Sequence, residues 1–199
     1  LGGSSSINGL LYVRGQPQDF DHWRQLGNAG WSFADVLPYF KRAENQERGA
    51  DDFHGKDGPL AVSNMRVRRE ICDAVIKAAG ELGIPERDDF NREDQEGAGY
   101  FQLTTKNGLR CSTAVGYLNP VKHRKNLEIQ THAQVHRLIV EDGRCTGVQY
   151  DVKGSPRKAT CRGEVILSAG AIGSPQILML SGIGPGQHLT DKGLPVVLD

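Results

Sequence analysis

Two glycine-rich runs are the parts of this chain best suited to chemistry. The first is Leu1-Gly2-Gly3-Ser4-Ser5-Ser6-Ile7-Asn8-Gly9; the second is Gly170-Ala171-Ile172-Gly173-Ser174-Pro175, which leads through an apolar stretch to Gly182-Ile183-Gly184. Small residues ahead of a short apolar segment let backbone N–H groups at a helix start approach a phosphate or a flat ring with no Cβ in the way. On composition alone the opening run also fits a frayed or linker-like terminus. Ile7, Leu10, Leu11 and Val13, followed by Arg14-Gly15, are not linker chemistry and make a ligand contact a competing reading. The second run, taken alone, reads first as packing, because strand, turn and helix units occur throughout α/β proteins.

Other chemistries find no motif. There is no GxGxxG, and so no fingerprint for seating a pyrophosphate and no acid placed after it for a ribose. The six histidines, His22, His54, His123, His132, His136 and His188, form no HExxH, and only His132 and His136 are four apart. In a strand-like region that spacing puts both rings on one face but too far apart to chelate, so no metal site is expected. Cys72, Cys111, Cys145 and Cys161 show no CxxC spacing and read as packed, reduced thiols of a cytoplasmic protein. Lys+Arg and Asp+Glu both number 24, and without a basic stripe nucleic acid is a poor partner. No apolar run approaches the roughly 20 residues that span a bilayer, so no transmembrane segment is expected, while peripheral attachment of the parent protein to the inner membrane stays open.

The elements that must position these runs follow from local pattern. Residues 32–45 open with a capping box, Ser32 and Asp35, and predict a helix that Pro38 breaks or kinks. A second helix is expected over 67–82, its face of Ile71, Val75, Ala78 and Leu82 packing on a core. Short strands are expected at 59–63 and 100–105. The third quarter is β in character, with strands at 127–130, 135–140, 146–152 and 158–161 and a hairpin turn at Asp142-Gly143. The apolar run 164–168 then predicts a strand that feeds the second glycine run, with a helix headed by Ser174 and Pro175.

In this order and at this separation, the two runs resemble the signatures of the glucose-methanol-choline (GMC) flavin oxidoreductases. The first signature is similar to Leu1–Asn8 with Tyr12 and Arg14-Gly15, and the second to Ser168–Pro185. Between them Gly30-Trp31, Leu37-Pro38-Tyr39-Phe40, His54-Gly55, Asp57-Gly58-Pro59-Leu60, Arg110-Cys111-Ser112, Ala114 and Tyr117-Leu118 also match, so the likeness covers the whole chain, nearest the choline dehydrogenase-like alcohol dehydrogenases.

The resemblance implies a mixed α/β fold: an FAD-binding, Rossmann-like parallel sheet with a β-meander, plus part of a substrate-binding domain. Residues 1–44 and 111–199 would belong to the flavin domain and 45–110 to the substrate domain. It further implies that Leu1, Gly2, Gly3, Ser4 and Ser5 line the flavin, that Asn8, Gly9, Leu10 and Leu11 run past its ring system, that Val135 meets the adenine through its backbone, and that Ala169 and Gly170 approach the cofactor. Ile7 stands where covalently flavinylated members carry a histidine, so the FAD is expected to be non-covalent. The implied reaction is hydride transfer from the CH–OH of a small alcohol, choline or another primary alcohol, to flavin N5, with electrons leaving to an acceptor of unspecified kind. Starting without a methionine inside a glycine-serine run, the chain reads as an internal piece of such an enzyme, itself inactive because it has neither GxGxxG nor a catalytic histidine. The rival reading is a catalytically inert truncated product that serves as a binding or interaction module.

Overall fold

The computed structural model describes all 199 residues and divides into two compact units, Leu1–Leu127 and Glu128–Asp199. In the first unit a single 3-10 turn, Gly3–Ser6, precedes α1 (Pro17–Gln25) and α2 (Phe33–Ala43). Both helices start as their sequences dictate. Pro17 occupies the first turn of α1, and Asp19 accepts the Gln16 N–H at 2.9 Å; Asp35 accepts the Ser32 N–H at 3.0 Å. Phe20 is buried at the α1–α2 contact among Trp23, Phe33 and Phe40, with ring centroids 5.4–6.2 Å away. α2 continues through Pro38, so of the expected break or kink there the break does not occur.

α2 delivers the chain directly into β1 (Glu44–Gln46), which pairs in parallel with β2 (Leu60–Val62). The connection folds back so tightly that a Cβ on Gly55 would lie 1.7 Å from the Lys41 carbonyl oxygen, a position only glycine can occupy. Residues 100–105 do not form the expected strand. Leu103 bridges Leu11 and Ser63 singly, and a two-residue hairpin follows, β3 (Thr105–Lys106) and β4 (Leu109–Arg110), turning at Asn107 and Gly108, both at positive φ. A π-helical turn, Ala114–Leu118, comes next.

Helix α3 spans Glu70–Glu81, three residues later than expected, and corrects the reading of its face. Ile71, Val75 and Leu82 are 69%, 60% and 82% exposed, so the apolar stripe packs on no core within this unit. Periodicity reports that a helix has an apolar face; it does not report what covers it.

The second unit is a three-stranded antiparallel meander, β5 (Ala133–Glu141), β6 (Arg144–Val152) and β7 (Ser155–Thr160), in the order β5-β6-β7. The Asp142-Gly143 turn is as expected, both residues at positive φ, and Lys153-Gly154 makes the second turn in the same way. The strand expected at 127–130 is absent, and β7 begins three residues early, with Pro156 tolerated on an edge strand. His132 precedes β5, so the four-apart histidine pair does not share a strand; His136 instead pairs with Asp151 at 3.1 Å. Helix α4 (Gly170–Leu180) packs on β5, and Ser181 at its end accepts the Leu138 N–H at 2.8 Å, capping the outer edge of the sheet. α5 (Gly186–Asp191) buries Leu189.

The Rossmann-like parallel sheet is not formed by these residues. β1–β2 is the one parallel strand pair, and 164–168 forms no strand and has none beside it, leaving Ile166 82% exposed. An apolar run becomes a strand only when a neighbour takes its N–H and C=O groups, and the run itself does not name that neighbour. α4 also starts four residues before the expected cap, with Gly170 at φ 87° and the Ser174 hydroxyl accepting the Ala169 N–H at 2.9 Å. All four cysteines are free; Cys111 is buried and Cys72 is exposed rather than packed. No helix is long and apolar enough to cross a membrane.

Candidate functional site

The centre of the first unit is polar. Arg14, Glu44, Gln46, His54, Asp89, Asn91 and Gln102 are all buried there, against only a few buried apolar side chains. The Glu44 carboxylate is fully buried. One oxygen accepts from Arg14 Nη2 at 2.8 Å and the Gly55 N–H at 3.0 Å; the other accepts from Gln46 Nε2 at 3.1 Å; the His54 Nδ1–H lies 3.0–3.1 Å from both. Buried charges survive when paired and fully hydrogen-bonded, and Glu44 meets both conditions. Gln46 and Gln102 exchange amide hydrogen bonds, each 3.0 Å. Asp51 accepts the Phe53 and His54 N–H groups at 2.8 Å each and pairs with Arg92.

His54 stands between two carboxylates. Its Nε2 is 2.9 Å from Asp89 Oδ2 but off the line of the N–H, so that contact is an ion pair rather than an aligned hydrogen bond. Burial pulls the imidazole pKa down, but Asp89 and Glu44 outweigh it and hold it up at about 9. For Asp89, burial pushes upward and is overcome by His54, the Asn91 N–H and Arg92, leaving it at about 2. A histidine held protonated between two acids cannot serve as a general base at neutral pH.

This network holds the chain that follows the opening run. Arg14 donates Nη1 to the Phe53 carbonyl at 2.7 Å, and its guanidinium lies over Phe40, 5.1 Å from the centroid. Asn91 Oδ1 accepts the Arg14 N–H at 2.7 Å while Asn91 Nδ2 donates to the Tyr12 carbonyl at 3.0 Å. The Tyr12 N–H donates to the Gln102 carbonyl at 2.9 Å, and the Thr104 N–H donates to the Leu10 carbonyl at 2.8 Å.

The opening run sits at the end of this held chain. Thr113 donates its N–H to Ser5 Oγ at 3.0 Å and its hydroxyl to the Gly2 carbonyl at 3.1 Å; Arg110 Nη1 donates to the Ser5 carbonyl at 3.0 Å and Asn8 Oδ1 at 2.8 Å. Its other side is open. A Cβ on Gly3 (φ 56°) or Gly9 would meet no atom within 4 Å, and Leu1, Ile7 and Leu11 are 73%, 86% and 52% exposed. A Cβ-free backbone beside exposed apolar side chains is what a flat, partly apolar ring system requires.

Leu1, Gly2, Gly3, Ser4, Ser5, Asn8, Gly9, Leu10 and Leu11 thus lie together on one pinned segment of the first unit. Val135, Ala169 and Gly170 lie in the second unit. Val135 is opposite Tyr150, where the β5–β6 register shifts, and a Cβ on Gly170 at the start of α4 would likewise meet nothing. Sequence reasoning passed over Arg14, Glu44, His54, Asp89, Asn91 and Arg110. Arg14-Gly15, His54-Gly55 and Arg110-Cys111-Ser112 were visible as motif residues, whereas Glu44 and Asp89 carry no local signal of burial.

Known proteins are similar to this chain in sequence and in fold. The GMC oxidoreductase family model matches residues 1–197, and the chain belongs to that family. It is 45% identical over 199 residues to the oxygen-dependent choline dehydrogenase of Rhizobium etli (strain CIAT 652), covering 100% of this chain and 36% of that protein. It is 46% identical over 200 residues to oxygen-dependent choline dehydrogenase 1 of Chromohalobacter salexigens, covering 99% and 36%. Among solved structures, pyridoxine 4-oxidase from Mesorbium loti has a TM-score of 0.91 at 32% identity, covering 98% of this chain and 39% of that one. An FAD-dependent oxidoreductase from Chaetomium thermophilum has a TM-score of 0.92 at 28% identity, covering 100% and 37%. The chain is related to the choline dehydrogenases and spans just over a third of the relatives it matches.

The raised pKa of His54 makes stability pH-dependent. Protonated His54 stabilises the fold fully below its unfolded pKa of 6.5, and that contribution, of order 3 kcal/mol, is lost as pH rises through about 9. Denaturant midpoints of the purified protein should fall between pH 6.5 and 9.5. His54→Gln should lower the midpoint at pH 6 and flatten the slope; a wild-type midpoint constant across that range would contradict the assignment.

Proposed function

We propose that this segment forms part of the flavin site of an FAD-dependent oxidoreductase acting on the CH–OH group of an alcohol, choline or another primary alcohol. The observation that carries the reading is the opening turn, hydrogen-bonded on one side by Arg110 and Thr113 and open on the other at Gly3 and Gly9. FAD, when bound, supplies the hydride acceptor. Leu1 to Ser5 and Asn8 to Leu11 would hold it, and the assignment of Val135, Ala169 and Gly170 as FAD contacts belongs to the same proposal. The residues of this chain bind and orient; none is placed to take the substrate proton, since His54 is locked between Glu44 and Asp89. The assignment of 1–44 and 111–199 to a flavin domain and 45–110 to a substrate domain belongs to the same proposal, as does the reading of this segment as one part of a longer enzyme, inactive on its own.

Ile7 offers no nucleophilic nitrogen for a flavin linkage, so the cofactor is held non-covalently. Acid precipitation of the full-length protein should release yellow flavin into the supernatant. Flavin that stays in the pellet would contradict this.

Gly3 gives a sharper test, because nothing in this chain lies where its side chain would go. Gly3→Val should weaken FAD binding roughly ten-fold to a hundred-fold through overpacking against the cofactor and the cost of its positive φ. Ser6→Ala should be mild by comparison. FAD dissociation constants, with folding checked by circular dichroism, decide; wild-type affinity in Gly3→Val would remove the opening turn from the site.

A further inference from the structure

We infer that Arg110 is a positioning residue for the flavin, acting through the side chain of Asn8; the inference rests on the flavin reading of the opening segment. Arg110 ends the β3–β4 hairpin and has no carboxylate within ion-pair distance. Its Nη1 is devoted to two amide oxygens, Ser5 O at 3.0 Å and Asn8 Oδ1 at 2.8 Å. Asn8 Oδ1 also accepts the Leu10 N–H at 3.2 Å, so two donors fix which end of the carboxamide is oxygen. Asn8 Nδ2, on an exposed residue, bonds to nothing in the chain and is left as a donor for whatever occupies the open side.

The backbone beyond Asn8 needs this hold. Leu10 has φ 70°, a left-handed conformation that leucine adopts only where its surroundings impose it. The imposition comes from both sides: Asn8 Oδ1 takes the Leu10 N–H, and the Thr104 N–H and hydroxyl donate to the Leu10 carbonyl at 2.8 and 3.2 Å. Thr104 precedes the hairpin and Arg110 ends it, so the Asn107-Gly108 turn sets their spacing. The hairpin therefore clamps residues 5–10, and Arg110 supplies its one charged contact. Without Arg110 the Asn8 amide is free to rotate, Leu10 loses half its restraint, and the cofactor-facing donor loses its aim.

The test uses the full-length flavoprotein, with Arg110→Met, Arg110→Lys, Asn8→Ala and the Arg110→Met/Asn8→Ala double variant. The readouts are the FAD dissociation constant on reconstitution, the visible flavin absorption bands, and circular dichroism. Arg110→Met should weaken FAD binding by roughly ten-fold and shift the visible bands, the loss expected for a charge-assisted hydrogen bond. Asn8→Ala should do likewise, and the double variant should be no worse than about two-fold beyond either single one, because both changes break one path. Arg110→Lys should recover part of the affinity, since a compact ammonium replaces the fork imperfectly. Wild-type affinity and spectrum in Arg110→Met, or losses that multiply in the double variant, would overturn the inference. If Arg110→Met does not fold, Asn8→Ala decides alone, with wild-type affinity and spectrum overturning it. A wild-type protein that holds no FAD contradicts the flavin reading itself, a result distinct from an indifferent Arg110.

Discussion

The Glu44 carboxylate, fully removed from water, is the interaction on which the rest of the first unit depends. Its two oxygens gather Arg14 from the opening segment, Gln46 from its own strand, and His54 and Gly55 from the loop that returns to β2. Each donor is already charged or fixed in place. Taking away a charged partner, Arg14 or His54, leaves buried charge under-compensated, which costs far more than breaking an exposed pair would. The tight approach of Gly55 to the end of α2 is part of the same arrangement, because it brings a backbone N–H to the carboxylate.

The proposed function rests on what this centre holds still. Arg14 and Asn91 tie down residues 12–14, Gln102 and Thr104 tie down 10–12, and Arg110 with Thr113 tie down the opening turn. The opening stretch of this backbone is thereby fixed on one side and left open on the other at Gly3 and Gly9. That is the requirement for a cofactor contact made largely by main chain: the chain must be rigid without relying on side chains that would fill the space. A buried polar centre suits this role because hydrogen bonds fix position and direction together, which apolar packing alone does not do.

Much of this was legible in the sequence where the deciding signal is local. The Ser32–Asp35 capping box and the Asp142-Gly143 turn are set by residues next to one another, and both formed as expected. The family signatures marked the opening run and the second glycine run, but α4 begins at Gly170 rather than at the expected Ser174 and Pro175. What escaped was non-local. The run 164–168 has the composition of a strand but no strand beside it, and the apolar face of α3 has no cover within its unit. Glu44 and Asp89 look like any surface acids until the fold brings Arg14, 30 residues away in the chain, to the first and His54 to the second. α1 was missed although Pro17, with Gln16 and Asp19 around it, carries a readable start signal.

Amide hydrogen exchange in wild type and Glu44→Gln tests the central claim most directly, because the substitution keeps size and shape while removing the charge that Arg14 and His54 require. The account predicts that peptides covering residues 10–14 lose protection by roughly ten-fold or more in the variant while the meander strands β5 to β7 keep theirs. Equal protection of residues 10–14 in both proteins would show that the buried carboxylate is not what holds that backbone in place.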